Sequence, residues 1–498
     1  MRRCLAVLAV LSCLAIQPAL AERRWMTVLL DGRKVGALRI DRDITTDTVT
    51  TTQTLDFRLT RIHTPLLLHS TVKAVESPAG APLAFYASSN MSARENLVEG
   101  TRRPDGAFQV ANTVGGESRV DLLTWPTGAS LIEGQRLATL AHGFRPGTIY
   151  QVRNFDSAKQ QVATVDVAVL GDEVVEMPDG QRETLHHLRQ SLSGMPSVRS
   201  VDVWVDDQGY IRRAISPLLG FHLEMASCDE ACANAPDQDV DVLRASMIDA
   251  PRAITPNLRA APMRYMITVR GDHPKPFVET DEQHVSPLGD GVYYVDIGFS
   301  RKGKESTPSS EDTSSSAWVQ SDSPRVIDMA RSIVGDARND LQRMRRLRAY
   351  LSDYINQKGL DVGYASALET IDSRRGDCTE HAVLLTALAR ALGIPARVVT
   401  GIVYVERMGG ASRVFVPHAW TQAYVDGRWI SFDSAERRFD ATHIALGTGN
   451  GDPWRFFAAM NTLRDIRIDR AIASSNIIDL PGPSDTGAVG NVGAGSGR

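Results

Sequence analysis

Short runs in which polar and apolar side chains alternate fill the first half of the chain. Val49 to Leu59 alternates in this way, as does Val162 to Leu170, and Val201 to Val205 leads through Asp206-Asp207-Gln208-Gly209 into Tyr210-Ile211. Alternation broken by turn residues is the signature of half-buried antiparallel strands, so a large antiparallel β domain is predicted over 22–250. Two further strand-like runs, Met263 to Val269 and Gly291 to Phe299, bounded by Gly and Pro, predict a β-rich connecting segment over 251–300. Residues 301–322, with Ser309-Ser310, Ser314-Ser315-Ser316 and few apolar side chains, read as a Ser-rich linker. The period then lengthens. Ser323-Pro324 has the form of an N-cap followed by proline at the first helical position, with Ile327, Ala330, Ile333 and Val334 on one face. Leu341, Met344, Leu347, Leu351 and Ile355 predict a second amphipathic helix, whose Arg343, Arg345, Arg346 and Arg348 face solvent. The mixed region extends over 323–480, and the Gly-rich stretch 481–498 is expected to be a disordered tail.

The chain has 498 residues, 43% of them hydrophobic and 23% charged, which corresponds to roughly three globular domains. A formal net charge of −4 argues against a dedicated nucleic-acid binder or a polybasic membrane anchor. Residues 1–21 read as a secretory signal peptide. Arg2-Arg3 are followed by an apolar stretch from Cys4 to Ile16 and an Ala19-Leu20-Ala21 cleavage site. Lipid attachment at Cys13 competes poorly with that site, because the apolar run continues past it. No other long apolar segment is present, so no integral membrane segment is expected after cleavage, and a periplasmic or secreted location follows.

Cleavage removes Cys4 and Cys13 and leaves Cys228, Cys232 and Cys378 in an oxidising compartment. Cys228 and Cys232 are spaced for a local disulfide. A zinc site there would need two more ligands, and only His222 is near in sequence. Cys378 is then the unpaired thiol. It lies in Arg375-Gly376-Asp377-Cys378-Thr379-Glu380-His381, where Asp377 and Glu380 have capping-box spacing. Leu384, Leu388 and Leu392 form an i, i+4 stripe, and Gly393 with Pro395 ends the helix. Cys378 is therefore placed in the first turn, where free N–H groups and the helix dipole favour a thiolate.

Downstream, Asp426-Gly427 reads as a two-residue type I′ turn between Arg413–Val425 and Arg428–Asp433. Val425 then faces Arg428, Trp420 lies opposite Asp433, and His418 is one diagonal step away on the same face. The hairpin alone predicts that Asp433 can orient the imidazole of His418. His63, His69, His186-His187 and His284 read as surface or packing residues.

The runs Gly376-Asp377-Cys378, Ala387 to Gly401, His418-Ala419-Trp420 and Gly427 to Asp433 together resemble the bacterial transglutaminase-like core over roughly 325–450. The resemblance implies an α+β multidomain protein, in which an antiparallel β-rich N-terminal region precedes a papain-like transglutaminase core. It also implies a catalytic triad of Cys378, His418 and Asp433. One departure is visible: the family's Asp-Pro-Thr or similar is Asp433-Ser434-Ala435 here. The Val203 to Tyr210 hairpin resembles one hairpin of the curved half-barrels in bacterial lipoprotein-carrier-like domains, which suggests a shape and not a ligand.

Such a triad attacks a carboxamide through a thioester. The expected activity is amide hydrolysis or acyl transfer on an exported peptide, protein or cell-wall peptide substrate, with hydrolysis favoured because water is the default acceptor. A cross-linking transglutaminase and a non-catalytic peptide-binding envelope protein are the alternatives. No Gly-rich phosphate loop, zinc motif or EF-hand spacing supports a cofactor or metal. Besides the Cys378 N–H, Gln357, Tyr364 and Trp420 are candidates for a second oxyanion donor.

Overall fold

The computed structural model describes residues 20–473 apart from 91–94, 193–199, 272, 274, 299–306 and 437. The expected leader, except its last two residues, lies outside the described residues, as do the Gly-rich tail and the start of the Ser-rich segment. The protein is α+β and multidomain, with a β-rich N-terminal region and a mixed C-terminal core.

The alternating runs build one fifteen-stranded sheet. Its first strand, Leu20–Leu30, lies between Arg33–Ile44 and the last strand, Phe221–Cys228, with Trp25 opposite Cys228. The two outermost strands, Glu117–Leu123 and Ala129–Ser130, are consecutive in the chain. Phe85 and Phe108 from one arm meet Phe155 from the other around Trp125, at ring-centroid distances of 4.5 to 6.1 Å. The sheet therefore curls on itself. On one face, Leu55, Phe57 and Leu59 of strand Val49–Arg61 lie opposite Ser70, Leu68 and Leu66 of strand Thr64–Glu76. Cys228 and Cys232 are joined in a disulfide just past the last strand.

The hairpin between these two strands carries Ile62 at φ 48° and His63 at φ 64°. A β-branched residue in the left-handed region is a genuine outlier and costs on the order of 1–2 kcal/mol. The tip is held from outside: the Ile62 N–H donates to the Asp241 carboxylate at 3.1 Å, and the Ile62 side chain packs so closely on Gly409 that a Cβ there would lie 2.8 Å from it.

In the core, strands Ala396–Met408 and Ala411–Val425 form a long hairpin flanked by Ile444–Gly449, Ile248–Asp249 and Arg428–Phe432. Helix Cys378–Ala391 packs on it, with the Thr421 hydroxyl donating to the Ala382 carbonyl at 3.0 Å. Helices Pro324–Val334 and Asp340–Tyr354 bury Val326, Ala330 and Val334, and Met344, Leu347 and Leu351, against that helix. The second helix buries the face its periodicity marks; in the first, Ala330 and Val334 are buried as marked, but Val326 is buried where the periodicity points to Ile327, and Ile327 is only partly covered.

Two segments are tied more closely than composition suggested. Strand Met263–Val269 lies between Val292–Ile297 and Ile466–Ala473, so the strands expected as a connecting segment share a sheet with the last described strand. The Ser-rich segment is pinned over 307–322. Val319 is fully buried, Trp318 meets Tyr364 edge-on at 5.4 Å, and the Arg390 guanidinium donates to the Ser314 carbonyl at 2.7 Å. Two apolar anchors and its own carbonyls fix a stretch that its serines mark as a linker.

Candidate active site

Asp377 caps the helix that carries Cys378. Its carboxylate accepts from the Thr379 N–H at 3.1 Å, and its own N–H donates to Glu380 at 2.8 Å, closing a capping box. Gly376, at φ 152°, must be glycine, because a Cβ would sit 2.4 Å from Glu380. Cys378 opens this helix, half-buried and unpaired.

The opposing hairpin has the register that its turn dictates. Asp426 and Gly427 have φ 53° and 78°, Val425 pairs with Arg428, and Thr421 pairs with Phe432. Asp433 follows the returning strand, and its Oδ2 lies 2.8 Å from His418 Nε2. Its Oδ1 accepts from the N–H groups of Ala435 at 2.7 Å and Glu436 at 3.1 Å. Neither needs an N–H at position 434, which is why the change from proline leaves the acid in place. His418 and Asp433 are both buried. The N–H of Ala419, next to His418, donates to the Cys378 thiol.

Further side chains act on this arrangement. His443 Nε2 also reaches Asp433 Oδ2, at 3.0 Å, and its Nδ1 lies 3.4 Å from Asp440. Burial opposes a charge on His443, but the two carboxylates outweigh burial and raise it to about 9. Burial likewise opposes ionisation of Asp433, yet His418 and His443 hold it well below the usual carboxylate range. His381, one helical turn beyond Cys378, pairs through Nδ1 with the Ser434 hydroxyl at 2.9 Å, and burial lowers it to about 4. The hydroxyl at the departing position is thus used. Arg61 reaches in from the β-sheet hairpin, donating to the Asp377 carboxylate and, at 2.8 Å, to the Val362 carbonyl.

The thiol departs from expectation. Burial first, and then the charge of Asp377, push Cys378 above its ordinary value, while Arg61 and the Ala419 N–H pull the other way without prevailing. The helix N-terminus favours a thiolate, but the surrounding protein and the adjacent carboxylate outweigh it. Burial and Asp377 together also lift Glu380 to about 8. Of the candidate second oxyanion donors, Tyr364 donates to the Gly451 carbonyl at 3.0 Å, Trp420 donates to Ser431 at 3.2 Å, and Gln357 is exposed. The single side-chain donors of Tyr364 and Trp420 are therefore engaged elsewhere, while the Gln357 backbone carbonyl accepts from the Gly376 N–H at 3.2 Å, two residues before the thiol.

The nitrogen and oxygen atoms of His418, Asp433 and His443 that could ligate a metal lie within 4.8 Å of one another. At 2.8 and 3.0 Å both Nε2 atoms are within hydrogen-bond distance of the one carboxylate oxygen, so hydrogen bonds account for the cluster as it stands. His222 is exposed and lies against Asp31, and the disulfide occupies the two cysteines. His69, His186, His187 and His284 each pair with a carboxylate.

Cys378, His381 and His418 share the wall of a cavity of about 900 Å³, which opens between the core and the curled sheet.

Residues 327–434, which include Cys378, His418 and Asp433, match the model of the Transglutaminase-like superfamily core. The protein thus carries a transglutaminase-like core behind a β-rich N-terminal region. A protein of Mycobacterium leprae described as uncharacterised is 29% identical over 99 residues, 20% of this chain and 35% of that one. The chain thus spans about a third of the length of the curated relative it matches. Among solved structures, a candidate cysteine protease from Cytophaga hutchinsonii is 19% identical, covering 43% of this chain and 83% of its own, with a TM-score of 0.27. A beta-barrel-like protein from Brucella abortus, of a domain of unknown function, is 13% identical, covering 42% of this chain and 95% of its own, with a TM-score of 0.33. Among the described residues no helix is long and apolar enough to cross a membrane.

Proposed function

We propose that this protein is an exported cysteine-dependent amide hydrolase or acyltransferase in which Cys378, His418 and Asp433 act as a triad. The observation that carries this reading is the buried His418 Nε2 to Asp433 Oδ2 contact of 2.8 Å beside a half-buried thiol at a helix start. Asp433 engages Nε2, which leaves Nδ1 of His418 for the nucleophile. Cys378 rests as a thiol, and His418 takes its proton as Sγ attacks the carboxamide carbon. The oxyanion meets the Cys378 N–H. The imidazolium returns the proton to the leaving amine, and water then cleaves the thioester. An amine in place of water would give the cross-linking reaction. Hydrolysis is favoured because water needs no second binding site. The Cys228–Cys232 disulfide supports an oxidising, periplasmic or secreted setting.

The test compares wild type with Cys378→Ala, His418→Ala and Asp433→Asn on a fluorogenic peptide amide, with and without a primary amine acceptor. Loss of turnover in all three supports the triad. Unchanged turnover in His418→Ala, or no turnover in wild type alongside peptide binding, overturns it in favour of a binding module.

A further inference from the structure

We propose that the cavity beside Cys378 receives the alkyl chain of a long-chain acyl amide and presents its carbonyl to the thiol. This names the substrate class for the thiol-enzyme reading above and rests on it.

At about 900 Å³ the cavity is at the upper end of small-molecule sites, and its sheet wall carries a hydrocarbon patch beside polar residues such as Ser70, Ser88 and Ser89. Leu55, Phe57, Leu66, Leu68 and Val72 line it, and all but Leu66 are only partly covered by the protein. Their strands lie inside the sheet, paired on both sides. The backbone N–H and C=O groups of that wall are therefore spent in the ladder. A peptide brings one donor and one acceptor per residue and would leave them unpaired against such a wall. An alkyl chain brings none.

The opposite wall leads to the chemistry. Val403 pairs with Val416, both line the cavity, and the next pair on that face is Gly401 with His418. Apolar surface thus runs up to the triad, and a chain lying along it ends at the thiol. The group that ends an acyl chain is the carbonyl that the thiol attacks. Two polar side chains in the wall have buried atoms without a protein partner. These are His381 Nε2, one turn beyond Cys378, and both carboxamide atoms of Asn96. His381 suits the amide. Asn96 is one of several polar residues in the sheet wall, with Ser70, Ser88, Ser89 and Asn112.

The reaction balances without a co-reactant other than water. The Sγ–C bond forms and the C–N bond breaks, and the thiol proton passes through His418 to the amine. Water then releases the fatty acid and restores the thiol.

Two measurements on the full chain test this. In Cys378→Ala, dansyl-undecanoate should bind with enhanced fluorescence and be displaced by palmitate. In wild type, kcat/KM on acetyl, octanoyl, dodecanoyl and hexadecanoyl p-nitroanilides should rise with length, by up to about fourfold per methylene buried. Ser70→Trp should move the preferred chain to a shorter one. Val72→Phe is the milder variant should that change disturb the circular dichroism spectrum. If the probe does not bind while a peptide amide is cleaved, the cavity inference falls and the thiol enzyme stands. If the probe binds but wild type cleaves no amide of any kind, the enzyme reading falls, and with it the presentation of the carbonyl.

Discussion

Arg61, at the tip of a hairpin in the N-terminal sheet, forms an ion pair with Asp377, the residue that caps the nucleophile helix 316 positions later in the chain. Both side chains are largely buried. The guanidinium is the nearest compensation for a carboxylate that otherwise pushes the thiol up. Burial would raise the Asp377 carboxyl as well, yet Arg61 with the Thr379 N–H and hydroxyl holds it below the usual range. The sheet is thus part of the site's electrostatics.

Arg61→Ala should destabilise the protein by about 2–4 kcal/mol, because it leaves Asp377 charged and unpaired. It should also lower kcat at least tenfold with a smaller change in KM. Arg61→Lys should restore part of the rate, since it keeps the charge but loses the fork that also reaches Val362. Denaturant titration and steady-state kinetics together check this, and equal rates in all three proteins would refute the electrostatic role.

Because the thiol sits above its ordinary value, iodoacetamide should label Cys378 more slowly at pH 7 than it labels glutathione, with the rate climbing only in alkaline solution. Arg61→Ala should slow it further. Mass spectrometry of the labelled peptide against time reads both.

The stability of the core should fall in alkali. His443 is raised to about 9 from an unfolded value near 6.5, so its contribution is complete below 6.5 and lost as pH rises through 9. Glu380, raised to about 8, moves the same way: the fold favours its protonated form, and stability falls as pH climbs from its ordinary value through 8. Asp433 is depressed and contributes above its ordinary pKa, being lost in acid. The melting temperature should therefore be highest in mildly acidic to neutral solution. His443→Asn should remove on the order of 3 kcal/mol of the alkaline decline; an unaltered profile would refute a charged His443.

Asp433→Asn should reduce kcat by roughly three to four orders of magnitude while the fold persists, since the carboxylate orients an imidazole rather than reacting. Ser434→Ala should cost only about 1–2 kcal/mol, the value of leaving His381 Nδ1 unpaired, and would show whether the departing residue tunes the site or only fills it.

What the sequence revealed was local. The Asp426-Gly427 turn sets a register by counting, and that register carries His418 to Asp433. Asp377 and Glu380 mark a helix start without any tertiary information. His443 gave no such signal, because it reaches Asp433 from the end of a loop whose length and path no periodicity encodes, just before strand Ile444–Gly449. Arg61 lay in an ordinary strand end, though its hairpin offered one cue, a two-residue turn made of Ile62-His63 with no Gly, Asn or Asp. The pairing of Met263 with Ala473 is likewise a long-range choice made by burial. In the Ser-rich segment, the composition hid two apolar residues that matter more than its seven serines.

The adjacency of the first and last strands of the large sheet bears on how the chain matures. The sheet can close only once Phe221–Cys228 has been laid beside Leu20–Leu30, and both strands precede Cys378 in the chain. Domains form from the N-terminus as the chain grows, so the hairpin bearing Arg61 is in position before the segment it supports emerges. A chain truncated at its start would then produce the thiol without its electrostatic counterpart, and the N-terminal half serves as the mould in which the reactive half sets.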